Sequence, residues 1–174
     1  MQGGNNTDDT GGTPNAPPSL DRLVAIMLDP ASIGRSNPNI EQEREVAIYD
    51  LLDENSFAVD GRADGPYRLL LGMSEDRLVL TIAADSAPDA GYALMLSMTT
   101  FRRVIKDYFI VCDSYYQAIR SAPASRIQSI DMGRRALHDE GSRLLIERLA
   151  GKITLDHTTA RRLFTLMCAL HWKG

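Results

Sequence analysis

Cysteine, histidine and tryptophan are scarce in this chain, whose 174 residues include two cysteines, three histidines and one tryptophan. A structural zinc centre needs four ligands, so four of the five cysteines and histidines would have to converge on one point. Cys168 and His171 have the C-x-x-H spacing of half such a centre. Cys168 stands among apolar neighbours, however, which is typical of a buried thiol. The sequence therefore predicts neither a metal site nor a cofactor.

Long apolar runs are also absent, and no run approaches the length that a membrane-spanning helix requires. The first residues, MQGGNNTDDTGG, lack the positive and apolar regions of a secretion signal. Both cysteines, Cys112 and Cys168, fall in apolar patterns of helical period, which favours buried, reduced thiols. These features predict a cytoplasmic protein that has no membrane association.

An excess of positive charge is the third feature that the chain lacks, because its formal net charge is −4. Asp8 and Asp9 account for two of these negative charges, so the part of the chain from Ser19 onward carries −2. Such a balance provides no general attraction to nucleic acid, and we do not expect nucleic-acid binding. This balance leaves open whether the chain has a local basic patch.

The distribution of apolar residues predicts an α+β fold. Residues 1–18 are almost devoid of apolar side chains and predict a disordered tail, while the length of the remainder predicts one domain over residues 19–174. A continuous apolar run from Arg22 to Asp29 indicates a buried strand, and a period of two between Phe57 and Met98 indicates antiparallel strands. We therefore expect a small, mainly antiparallel sheet with four to five helices packed on it.

Helical periods occupy the rest of the chain. Asn39 is predicted to cap the first helix, with Gln42 as its capping-box partner. Two long helices between Thr99 and Gly151, separated by a Ser-Ala-Pro break, are expected to organise the fold, with Thr99 or Thr100 capping the first of them. Its apolar stripe, which is predicted to be a buried seam, consists of Phe101, Val104, Ile105, Tyr108, Cys112, Tyr115 and Ile119.

Two glycines interrupt the second long helix, although each costs about 1 kcal/mol relative to alanine in a helix interior. Gly133 and Gly141 both lie on its apolar stripe. Close approach to a neighbouring helix would compensate for this cost. The alternative is that Gly141 divides the helix into two.

Three pairs of arginines, each followed by two apolar residues, are the most informative signal. Two pairs are expected in the first turn of a helix, where cations oppose the helix dipole at a typical cost of 0.3–1 kcal/mol each. Either a carboxylate on a neighbouring element or an external anion could compensate, since arginine binds both and helix N-termini offer free N–H groups. The pairs consist of Arg102, Arg103, Arg134, Arg135, Arg161 and Arg162.

Two functional hypotheses follow from these residues. The first is a non-catalytic binding or regulatory protein that uses the arginine pairs, His138 and Trp172 to bind a protein or an anionic small molecule. Assembly into a homodimer is left open. The second is a small enzyme that acts on a phosphorylated or carboxylated small molecule, with Arg134 as the anion clamp and His138 as the acid or base. A surface histidine without a catalytic role is the simpler interpretation of His138, because the sequence places no nucleophile beside it.

Several motifs make the chain resemble the small alpha-proteobacterial proteins of uncharacterised protein family 0262. The resemblance covers about Leu20 to Gly174, whereas the tail before Leu20 departs from it. It implies a bacterial, cytosolic, single-domain protein, and it implies no activity, cofactor or catalytic residue. The motifs include SIGRSNP (32–38), AIYDLLDENSF (47–57), FRRVIKDYF (101–109), DMGRRALHDEGS (131–142) and ARRLFTL (160–166).

Overall fold

A computed structural model describes residues 19–171, and it confirms the α+β class. The predicted disordered tail and Trp172 lie outside the described residues. The four helices of the described part are α1 (Pro38–Asp53), α2 (Arg102–Ser121), α3 (Ala124–Leu149) and α4 (His157–His171). Its six strands are β1 (Leu23–Leu28), β2 (Phe57–Val59), β3 (Tyr67–Ser74), β4 (Arg77–Ala84), β5 (Tyr92–Ser97) and β6 (Ile153–Leu155).

The larger sheet has the strand order β1-β3-β4-β5. Its β3–β4 and β4–β5 pairs are antiparallel, which confirms a mainly antiparallel sheet. Strand β1 instead pairs in parallel with β3, because α1 carries the chain back to the start of the sheet between them. Strand β2 leaves the predicted meander and forms a two-stranded antiparallel sheet with β6.

The alternation of side chains gives the larger sheet two different faces. On the inner face, residues such as Leu69, Leu71 and Leu80 are fully buried and belong to the same apolar core as residues of all four helices. On the outer face, Met27 and Met95 are exposed to solvent.

Helix α4, rather than the pair of long helices, occupies the centre of the fold. It contacts both α1 and α3 and is buried on most sides, with Phe164 and Leu166 inaccessible to solvent. Its sequence between Leu163 and Leu170 has a single polar residue, Thr165, so little of its surface requires water. The expectation that α2 and α3 organise the fold was therefore wrong, because their exposed faces leave them at the periphery.

The positions at which the helices begin correct three predictions made from the sequence. Asn37, not Asn39, caps α1: its side-chain oxygen accepts a hydrogen bond from the Ile40 N–H at 3.0 Å, and Pro38 fits the first helical position. Neither Thr99 nor Thr100 caps α2, which begins after Phe101 without a side-chain cap. Asp156 caps α4 by accepting from the Thr159 N–H at 2.8 Å. Since α4 begins at His157, its arginine pair lies in the second turn and not in the first.

The two glycines of α3 have different environments. A Cβ atom on Gly141 would lie 2.3 Å from the Cζ atom of Phe164, so this glycine allows α4 to approach closely, as predicted. A Cβ atom on Gly133 would meet nothing within 4 Å, so the same prediction was wrong there. Helix α3 runs unbroken through both positions, which excludes a division at Gly141.

Candidate functional site

The first arginine pair binds two separate elements. Arg102 forms an ion pair with Asp76 in the turn between β3 and β4. Arg103 forms ion pairs with Asp107 on its own helix, at 3.2 Å, and with Glu140 on α3. The hydrogen bond with Glu140 raises the pKa of Arg103. Internal acids therefore compensate for these cations at the start of α2.

The pair on α4 diverges in the same way. The Nε atom of Arg161 lies 3.6 Å from Asp139 on α3, whereas Arg162 donates to the backbone carbonyl of Glu54, just after α1, at 2.5 Å. These two pairs connect elements of the fold, and their members do not converge on one anion site. Binding of an external anion by the arginine pairs stays a prediction.

The third pair lies on α3 and shares one acid. Asp131 accepts from Arg134 at 2.6 Å and lies 3.0 Å from Arg135, and the Arg134 hydrogen bond lowers the pKa of Asp131. The guanidinium of Arg134 also lies 5.2 Å from the ring centre of Tyr115 on α2, in cation–π geometry. Arg134 is thus held by contacts within the two-helix hairpin and has limited freedom to clamp a substrate.

His138 is held by α4 through both ring nitrogens. Its Nε2 atom lies 2.7 Å from the Thr165 hydroxyl and 3.0 Å from the Arg161 carbonyl, and Arg161 Nη2 lies 3.4 Å from Nδ1. Because the Thr165 hydroxyl donates to that same carbonyl, these contacts suit a neutral ring with its proton on Nε2. The ring also stacks on Tyr108 at 5.6 Å. This geometry favours a structural role for His138 over the acid or base role of the second hypothesis.

Burial, followed by the charge of Arg161, lowers the pKa of His138 below its ordinary value of 6.5. Well above pH 6.5 the ring is neutral in both the folded and the unfolded states. Below that pH the unfolded chain binds the proton first, so the free energy of unfolding should fall as the pH decreases.

We expect His138→Gln to retain a neutral donor to the Arg161 carbonyl. The variant should lose the part of the pH dependence of stability that comes from the lowered pKa of His138. The measurement is urea unfolding at pH 7.5 and pH 5.0 for both proteins. An equal loss of stability on acidification in the wild type and the variant would contradict the assignment.

A groove of about 510 Å³ lies beside this cluster, between α1, α2 and α4. Sequence reasoning did not identify it, because its walls come from three segments that are separated by about fifty residues or more. The start of α1 contributes polar residues that include Asn39 and Glu43, and the floor includes Cys168. The α2 wall consists of Tyr108, Phe109, Cys112 and Tyr116. In size and lining the groove matches the apolar sites at which proteins bind ligands or peptides.

Three groups of the groove, the two thiols and the Tyr108 hydroxyl, are held in their neutral forms. Burial raises the pKa of the Cys112 and Cys168 thiols and of the Tyr108 hydroxyl. Protonated thiols are poor nucleophiles. These groups therefore favour apolar contacts in the groove over covalent chemistry.

The apolar stripe of α2 continues beyond the body of the protein. Phe101 and Cys112 are buried as predicted, but Ile119 was predicted to be buried and is 50% exposed. Tyr116, one turn earlier, is 55% exposed. On α3, no residue before Gly141 is buried. The free end of the α2–α3 hairpin thus presents apolar side chains that no other described element covers.

The described residues, 19–171, contain no group of three or more potential metal ligands. No helix in this part of the chain is long and apolar enough to cross a membrane.

Comparison with known proteins places the chain among bacterial relatives. Residues 20–173 match the uncharacterised protein family UPF0262. The chain is 56% identical to a UPF0262 protein of Rhodopseudomonas palustris strain TIE-1 over 162 residues, which are 92% of this chain and 98% of the relative. It is 55% identical to the UPF0262 protein of Nitrobacter hamburgensis over 163 residues, 93% and 98% of the two chains. No solved structure matches.

Proposed function

Because the chain belongs to the UPF0262 family, whose relatives carry no assigned function, we propose its role from the geometry: it is a non-catalytic binding protein of the cytoplasm. Its groove between α1, α2 and α4 binds an amphipathic helix of another protein. The observation that carries this proposal is the continuity of the groove with the exposed apolar stripe of α2. A helix-binding groove needs such a stripe, with anchors at helical spacing.

The length of the stripe fits a helix of two to three turns. Phe109, Cys112, Tyr116 and Ile119 recur at intervals of three and four residues along α2. At 1.5 Å per residue they span about 15 Å. A partner helix lying along this wall would bury Tyr116 and Ile119, which the chain itself leaves exposed.

Two charged residues, one in the groove and one beyond it along α2, would set the orientation of the partner. Glu43 lines the α1 side, and Arg120, which is exposed, lies one turn beyond Tyr116 at the hairpin end. The partner helix should therefore carry a basic residue near Glu43 and an acidic residue near Arg120. Arg134, close to Tyr108 and Cys112, adds positive potential on the hairpin side.

The test begins with photo-crosslinking in the native bacterium. A photoreactive phenylalanine at Tyr116 should yield a discrete adduct, whereas the same residue at Tyr49, which is exposed on α1 outside the groove, should not. The peptide crosslinked to Tyr116 should be amphipathic and helical. Identical adducts from the two positions, or none from either, would reject the proposal.

A synthetic peptide of that segment then tests the groove directly by fluorescence anisotropy. We expect Tyr116→Glu and Arg120→Glu each to raise the dissociation constant at least tenfold, because the first buries a charge and the second removes a complementary one. Tyr49→Glu is the matched control. All three positions are exposed, so the unfolding midpoint should change little. Equal affinity for all variants would show that the peptide binds elsewhere.

A further inference from the structure

A second cavity, of about 590 Å³, lies between α2, the end of α4 and the turn that joins β3 to β4. Its volume falls within the range of small-molecule sites, roughly 300–1,000 Å³. Of the residues that line the α1–α2–α4 groove, only Phe109 also lines this cavity. The cavity is therefore separate from the groove that we propose for a partner helix.

The floor of the cavity is apolar. Met98 and Ile105 are 3% and 6% exposed, and both belong to the hydrophobic core. Met73 and Leu170 are partly buried and pack against that core, while Ile110 is 55% exposed. All five residues line the cavity. Because methionine side chains adapt to irregular shapes, this floor suits a flexible aliphatic group.

Two acidic and two basic residues also line the cavity, and one of each sign form an ion pair. That pair is Arg102 with Asp76. Lys106 lies one helical turn after Arg102, and Glu75 precedes Asp76 in the turn after β3. Among the described residues, the side chains of Lys106 and Glu75 have no ion-pair or hydrogen-bond partner. The cavity thus offers one cation and one carboxylate for a ligand.

His171, at the end of α4, adds a hydrogen-bond acceptor to the same cavity. Its Nδ1 atom lies 2.7 Å from the carbonyl oxygen of Met167, which can only accept, so Nδ1 carries the proton. In the neutral ring, Nε2 is then an acceptor. This atom is buried, and no group in the described part of the chain donates to it. A buried acceptor without a donor costs free energy, and a donor on a bound molecule would remove that cost.

We propose that this cavity binds a free apolar α-amino acid, such as leucine or methionine. The aliphatic side chain lies on the apolar floor, and the carboxylate forms an ion pair with Lys106. The ammonium group donates to His171 Nε2 and is attracted by the carboxylate of Glu75. A zwitterion that leaves water needs a partner for each of its charges, and this cavity supplies both. A simple carboxylate or a simple amine would use only one of them.

Isothermal titration calorimetry of the full chain with L-leucine and L-methionine tests this proposal. We expect dissociation constants below about 1 mM, as befits ligands of this size. Isocaproate and isopentylamine have the aliphatic chain of leucine but lack the ammonium and the carboxylate, respectively. Each should bind at least tenfold more weakly than L-leucine, because one charged contact is lost. If neither amino acid bound, or if isocaproate bound as tightly as L-leucine, the proposal would be overturned.

A pair of lysine variants locates the site. Lys106→Met should raise the dissociation constant for L-leucine at least tenfold, because methionine keeps most of the apolar stem and removes the charge. Lys152→Met is the matched control, since Lys152 is exposed and does not line the cavity. Equal affinity of both variants for L-leucine would place its binding elsewhere and reject this cavity.

The groove variant Tyr116→Glu separates this proposal from the preceding one. It should abolish peptide binding in the groove and leave the affinity for L-leucine unchanged, because Tyr116 does not line the cavity. A loss of L-leucine binding in Tyr116→Glu would show that the amino acid binds in the groove, and would reject the cavity as its site.

Discussion

Replacement of Gly141 by alanine should lower the free energy of unfolding by roughly 1–3 kcal/mol, the usual cost of adding a methyl group to a filled core. The new Cβ atom would lie 2.3 Å from a ring carbon of Phe164. This ring cannot turn away easily, because it is fully buried and lies 5.9 Å from Tyr108 and 5.7 Å from His138, centre to centre. Chemical denaturation followed by circular dichroism measures the change.

Gly133 supplies the matched control on the same helix. Alanine there meets nothing within 4 Å, so only the gain in helix propensity remains. Gly133→Ala should raise the free energy of unfolding by about 0.5–1 kcal/mol. A loss of stability in Gly141→Ala together with a gain in Gly133→Ala would show that contact with α4, and not the helix itself, requires Gly141. Stabilisation by both substitutions would contradict the close approach of α3 and α4.

Replacement of Arg44 by methionine should destabilise the protein by roughly 2–4 kcal/mol, because several hydrogen bonds to a charged group are lost together. Arg44 is buried, and its guanidinium donates to the carbonyl of Gly34 at 2.9 Å and to that of Ala169 at 3.3 Å. It also forms an ion pair with Glu41 at 3.0 Å. Methionine retains the length of the apolar stem but leaves both carbonyls without this donor.

Arg35→Met is the control for this change, since Arg35 is exposed in the loop that precedes α1. Its free energy of unfolding should stay within about 0.5 kcal/mol of the wild type. Arg44→Lys should recover only part of the loss, because a single ammonium cannot reproduce the planar set of donors. If the urea concentration at the unfolding midpoint were the same for Arg44→Met and the wild type, the contacts of Arg44 would not stabilise the fold.

The arginine pairs show which part of a site can be predicted from the local sequence. The sequence indicated that a cation at the start of α2 needs a negative partner, and Asp76 and Glu140 provide it for Arg102 and Arg103. The sequence could not indicate which partner is used, because Asp76 is 26 residues away from Arg102 and Glu140 is 37 residues away from Arg103. The groove was missed for the same reason. The residues of its walls form no pattern in the sequence that indicates a groove, and they line one only when α1, α2 and α4 pack together.

Arg44 was missed for a different reason. On a helical wheel it lies within the buried stripe of α1, four residues after Ile40 and three before Ala47, so its spacing indicated burial but its charge did not. Its burial results from the backbone carbonyls of Gly34 and Ala169, and no side-chain pattern reveals where carbonyls without partners will lie.

The order of side chains along the chain determined the class of the fold, because periods of two and of 3.6 residues depend only on near neighbours. It also predicted a glycine at a helix contact, and the structure bears this out at Gly141. Only the tertiary structure decided that α4 is the central helix, that β1 runs parallel to β3, and that the two faces of the sheet differ so sharply. These properties depend on which distant surfaces exclude water together, and that free energy belongs to no single segment.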